Sequence, residues 1–200
     1  MKKQILLALL LSFTYLGLNA QCNIPFPPSL DCASAPVICD LDGYCTSSGV
    51  ANATDNPSTF CGSVQNNQWF AFVAGTVNIE LDFIVTTCTG TGSGTGLQAQ
   101  VYSVCGAPWT TASNCLYEIA PNSTETLIMT GLTVGNVYYL MTDGFSGDIC
   151  DYTIEVAEGS TTPPSPDPAG PISGDPEFCP GATSVTYCAD PSFGAAFYEW

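Results

Sequence analysis

The chain has 200 residues, a formal net charge of -16, eleven Cys and no His. Its two basic residues, Lys2 and Lys3, precede a hydrophobic run, so residues 21–200 hold all 18 Asp and Glu and no Lys, Arg or His. That absence excludes Ser-His-Asp and Cys-His catalysis, lysine Schiff bases and histidine-ligated zinc from this stretch, and argues against nucleic-acid or phosphate partners, which need Arg and Lys.

The first predicted element is an export leader. Met1-Lys2-Lys3 is a short basic start, Ile5 to Leu11 is nearly all apolar, and Leu18-Asn19-Ala20 offers a small residue for cleavage, which makes residues 1–20 a signal peptide. The apolar run is short against the ~20 residues of a membrane-spanning helix. From residue 21 to 158 the chain reads as short strands separated by turn residues. In Val77-Asn78-Ile79-Glu80-Leu81-Asp82-Phe83-Ile84-Val85 the odd positions are apolar and most even ones polar, the period of a strand with one wet face. Cys150 to Val156 alternates in the same way. Trp69 to Val73, Leu97 to Val104, Thr126 to Met129 and Val137 to Met141 are further β-rich runs, and Val134-Gly135-Asn136 marks a turn. Thr86 to Gly96, with Gly at 90, 92, 94 and 96, reads as a loop between strands. It lacks the Lys of a phosphate-cradling loop. No segment sustains a helical period, and many short strands without helices predict an all-β antiparallel sandwich of jelly-roll type.

Eleven Cys without a C-x-x-C pair fit disulfides in an oxidising, extracytoplasmic compartment better than a metal-thiolate site. Cys105 with Cys115, and Cys32 with Cys39, are pairings that would close short loops, although spacing leaves the connectivity open. Nine Cys precede the next boundary, so one of them is free or pairs beyond it. That boundary is residues 159–171, GSTTPPSPDPAGP, five Pro in thirteen residues and no hydrophobic periodicity: a semi-rigid linker. Residues 172–200 are too few to close a core, and a longer natural protein is expected.

Two stretches carry a resemblance. Gly131-Leu132-Thr133-Val134-Gly135-Asn136-Val137-Tyr138-Tyr139-Leu140, then Asp143-Gly144 and Cys150-Asp151-Tyr152-Thr153-Ile154, resemble the end of jelly-roll ectodomains found in bacterial surface proteins of the type IX secretion system. Cys39 to Tyr44 and Asn67 to Phe72 suit the same pattern. Gly170 to Gly174, Cys179-Pro180-Gly181, Val185 to Tyr187 and Tyr198 to Trp200 resemble the opening strands of a PKD-like, immunoglobulin-type domain. The resemblance implies a secreted or cell-surface module in a string of sandwiches, with outer-membrane attachment through a C-terminal sorting region outside this sequence.

Candidate sites follow from residue chemistry. Asp143, Asp148 and Asp151 stand on a Gly-containing strand connection, and with no cationic side chain to pair with, calcium is the expected cofactor; Asp40 and Asp42 are expected to complete its shell if the N-terminal segment crosses nearby. The same acids also read as a solvated turn that caps backbone amides. Trp109, flanked by Tyr102 and Tyr117, offers rings that can stack on an extracellular glycan or another surface ligand, or can anchor a packed loop. Trp69 and Trp200 are expected in cores. Paired carboxylates can hydrolyse glycosides, but no acid here is visibly placed in an apolar pocket, so the expected function is noncatalytic: adhesion or ligand binding, with an accessory carbohydrate-binding module of a secreted hydrolase as the alternative.

Overall fold

The computed structural model describes residues 27–49, 55–90 and 95–165, together with the backbone pairing of 172–173 with 188–189. The leader, residues 91–94 of the Gly-rich stretch and Trp200 lie outside the described residues, as does most of the PKD-like stretch.

Eight antiparallel strands carry the fold: β1 (Tyr44–Ser47), β2 (Gln68–Val73), β3 (Ile79–Thr89), β4 (Leu97–Tyr102), β5 (Thr111–Ile119), β6 (Ser123–Met129), β7 (Val137–Gly144) and β8 (Ile149–Glu158). Their spatial order is β1-β8-β3-β6-β5-β4-β7-β2. The first strand pairs with the last, the second with the seventh, the third with the sixth and the fourth with the fifth. One long hairpin folded over on itself gives this order, the double Greek key of a jelly roll. β5 and β6 share a single residue pair, Ser113 with Met129, and there the sheet curls over. The expected all-β antiparallel sandwich is therefore the observed architecture.

The alternation read in the sequence builds the core. Ile79, Leu81, Phe83 and Val85 of β3 are buried, as are Tyr152 and Ile154 of β8, and they meet Phe70, Phe72, Leu97, Ala99, Val101 and Leu140 from the other half of the sheet in one cluster. Each large side chain buried this way contributes roughly 1.5–3 kcal/mol. At Val134-Gly135-Asn136 the turn forms with Gly135 at φ 85°, where a Cβ is disfavoured, and the Asn136 N–H donates to the Thr133 carbonyl.

The β5-β4-β7-β2 half is also covered on its outer face. Trp69, Tyr102 and Met141 point there and form a second cluster with Cys32 and Phe60 from the segments preceding β1 and β2. Those segments are held along β2 by main-chain pairing of Ser29 with Trp69 and of Val37 with Ala71, which covers an edge strand. Trp69 is fully buried, as expected.

Three sequence expectations are corrected. The short-loop disulfides do not form: Cys32 joins Cys105, Cys61 joins Cys115 and Cys88 joins Cys150, while Cys39 is a free, exposed thiol and Cys45 is also disulfide-bonded. Cys115 lies inside β5, not at the end of a loop, so it faces the covering segment and not Cys105. Thr86 to Thr89 are not loop but the end of β3, held by pairing with β8 and by the Cys88–Cys150 bridge. Finally, β1 and β5 have no counterpart among the predicted strands. The Pro-rich stretch begins docked on the sandwich: Ser160 N–H donates to Thr76 Oγ1, and the Leu41 N–H donates to Thr161 Oγ1. A separate pair of two-residue strands, β9 (Ile172–Ser173) and β10 (Cys188–Ala189), runs antiparallel.

Candidate functional site

The acidic connection after β7 folds around Asn66. Asp143, at the end of β7, is fully buried, and its Oδ1 accepts the backbone N–H groups of Gln65 (3.0 Å) and Asn66 (2.8 Å). The Asn66 amide donates to the carbonyls of Gly49 and Asp148, while its Oδ1 accepts from Gly144 N–H. Asp148 is likewise buried, and its Oδ2 accepts from Gly96 N–H at 2.9 Å. Asp143 Oδ2 and Asp148 Oδ1 have no hydrogen-bond partner among the described residues. Burial pushes the Asp143 carboxyl up to about 6, with the two backbone donors opposing the shift.

The structure brings Asp143 and Asp148 together through Asn66 and leaves the other three acids elsewhere. Asp151 is on the exposed face of β8, where it accepts from Thr87 Oγ1 at 2.9 Å. Asp40 and Asp42 sit at the opposite end of β8. Asp42 Oδ1 accepts from Val156 N–H, Asp40 Oδ1 accepts from Asp42 N–H and from Thr161 Oγ1, and both acids border a shallow, open depression with Ser160 and Thr162. Val156 lies seven residues along the strand from Ile149, about 23 Å at the rise of an extended chain. Among the described residues no three Asp, Glu or Cys side chains gather into a metal-holding group.

The aromatic candidates also separate. Tyr102 is fully buried, and burial raises its phenol well above the ordinary value. Trp109 stacks on Trp69 (centroids 5.4 Å apart, planes 21°) and meets Tyr102 edge-on, as a loop anchor does. Tyr117, 52 % exposed on β5, belongs to a different place: its ring meets Phe145 edge-on at 5.5 Å beside a polar cavity lined by Ser63, Gln65, Gln98 and Ser146. Sequence reasoning missed Asn66, Gln98 and Phe145. Asn and Gln carry no charge pattern to follow, and only the fold brings these residues from three distant segments to one end of the sandwich.

No protein-family model matches the chain, and neither a curated protein nor a solved structure matches it significantly. Among the described residues no helix is long and apolar enough to cross a membrane.

Proposed function

We propose that the chain is a noncatalytic, extracytoplasmic β-sandwich module of a longer bacterial surface protein, serving adhesion or ligand binding. The observation that carries this reading is the use made of the buried acids. Asp143 and Asp148 are engaged by backbone N–H groups and fasten the loops at one end of the sandwich, the work of a scaffold. Bridged Cys favour an oxidising compartment. The leader, the Pro-rich spacer and the PKD-like opening motifs support export by the type IX route and a position ahead of further sandwiches. In this reading calcium acts as a stabilising ion near Asp143 and Asp148.

A second reading, an accessory carbohydrate-binding module, draws support from the half-exposed Tyr117 beside amide and hydroxyl side chains. The purified chain is expected to adhere to cells or polysaccharide surfaces while leaving chromogenic glycosides and peptides unchanged. Turnover of any of these by the chain alone refutes the noncatalytic reading.

A further inference from the structure

The polar cavity beside Tyr117 has a volume of about 90 Å³ and is built by four elements. Gln98 of β4 and Tyr117 of β5 come from the sheet, Ser63 and Gln65 from the segment covering it, and Phe145 and Ser146 from the turn after β7. The Cys61–Cys115 bridge ties the covering segment to β5, and the Gln65 N–H bonded to Asp143 ties it to β7. These fastenings shape the cavity before any ligand arrives, which lowers the ordering cost of binding.

Gln98 is the decisive side chain. It is 1 % exposed, and its Nε2 donates to the Tyr117 carbonyl at 2.7 Å, which fixes the amide's orientation. Its Oε1 then has no donor among the described residues. A buried carbonyl oxygen without a donor is costly, so a bound group that supplies a proton is favoured there. The chain also keeps space for this amide: a Cβ at residue 62 would collide with it, and Gly62 stands at that position. Ser146, which also lines the cavity, holds a left-handed backbone at φ 55°, unusual without glycine.

We propose that this cavity and the Tyr117 ring bind one pyranose unit of a neutral glycan, with a sugar hydroxyl donating to Gln98 Oε1 and the ring's C–H face lying on Tyr117. None of the six lining residues is Asp, Glu, Lys, Arg or His, so nothing there selects an ion. A chain of net charge -16 repels anions. Hydroxyl groups both donate and accept, which matches the amides of Gln98 and Gln65 and the hydroxyls of Ser63 and Ser146. The volume is well below the roughly 300 Å³ at which pockets for whole small molecules begin, so the site takes the edge of one sugar while the rest of a glycan stays outside. The inference rests on the carbohydrate-binding reading above and assigns the sugar-facing ring to Tyr117, because Trp109 is already stacked on Trp69.

The test is titration of the purified, isotope-labelled chain with cellohexaose, maltohexaose, mannohexaose and xylohexaose, followed by nuclear magnetic resonance and calorimetry. At least one sugar is expected to shift the Gln98 side-chain amide and the Tyr117 ring signals. Tyr117→Ala, at an exposed position, is expected to keep the folded spectrum and to weaken that sugar's binding roughly tenfold or more. Tyr117→Phe retains the stacking face and is expected to keep most of the affinity. Binding that survives Tyr117→Ala, or that depends on Trp109 instead, overturns this site and leaves the carbohydrate reading standing. No response to any of the four sugars, with adhesion to cells retained, overturns the site and that reading but not the module. A Gln98 shift caused by calcium chloride alone, without one from sugar, also overturns it in favour of a cation.

Discussion

Asp143 is held where its charge is disfavoured. Its ordinary value of 3.8 is pushed to about 6 because burial outweighs the two backbone donors. Below about pH 4 the group is protonated in both the folded and unfolded chain, and burial costs nothing. As pH rises through about 6 the unfolded chain ionises first, the folded chain holds more protons, and stability falls; the loss is complete above that. Asp143→Asn retains an oxygen for the Gln65 and Asn66 N–H groups and removes the charge. The variant is therefore expected to gain on the wild type between about pH 4 and about pH 7, by roughly 1–3 kcal/mol at the upper end. Paired urea midpoints across that range check it, and a difference that does not change with pH contradicts the assignment. Asn66 carries a different load. Its side chain satisfies the Gly49 and Asp148 carbonyls and the Gly144 N–H, so Asn66→Ala leaves three backbone groups to find water. A loss of about 2–4 kcal/mol in unfolding free energy, read from the denaturation curve, is expected.

Strand legibility depended on which faces water reaches. β3 was readable because Ile79, Leu81, Phe83 and Val85 face the core while Glu80 and Asp82 stay partly wet. β4 alternates in sequence, yet Gln98 and Gln100 are as buried as Leu97 and Ala99, since the covering segment closes over its polar face. Alternation cannot reveal a third layer, and so the cavity floored by Gln98 was not legible. β5 escaped because its pairing with β4 is interrupted twice by register shifts and its ladder pairing with β6 is one residue pair. Asp143 and Asp148 were legible as acids near one turn but not as buried, because the groups that engage them, Asn66 and Gly96, are far off in sequence, and Asp151, Asp40 and Asp42, expected with them, lie elsewhere. Disulfide placement was equally non-local. Cys88–Cys150 crosses from β3 to its neighbour β8 with Cα atoms 4.0 Å apart and a sequence separation of 62. A closed loop of that length restricts the unfolded chain by about 4 kcal/mol. Replacing both residues by Ala is expected to lower the unfolding free energy by roughly that amount, whereas Cys39→Ser, at a free exposed thiol, changes it by less than about 0.5 kcal/mol. Thiol labelling of the native chain tests the same assignment, since modification at Cys39 is expected to disappear in that variant.

At the scale of the whole molecule one sign of charge dominates. Residues 21–200 hold 18 acids and no Lys, Arg or His, so the folded chain has carboxylate repulsion without side-chain ion pairs to offset it. Sodium chloride shortens the range of that repulsion from about 30 Å at 0.01 M to about 8 Å at 0.15 M and is expected to raise the melting midpoint smoothly. Calcium adds a separate effect if it is coordinated. Asp143 Oδ2 and Asp148 Oδ1 are each a buried acceptor that no described donor reaches, and a divalent ion held at Asp143 would favour its ionised form. At equal ionic strength, calcium at about 1 mM is therefore expected to raise the midpoint beyond sodium and to steepen the gain above about pH 6, where Asp143 no longer holds its proton. Chelation is expected to reverse the increment and Asp148→Asn to reduce it. If calcium and sodium give the same curve at matched ionic strength, the ion only screens, and the two buried carboxylates serve the backbone alone.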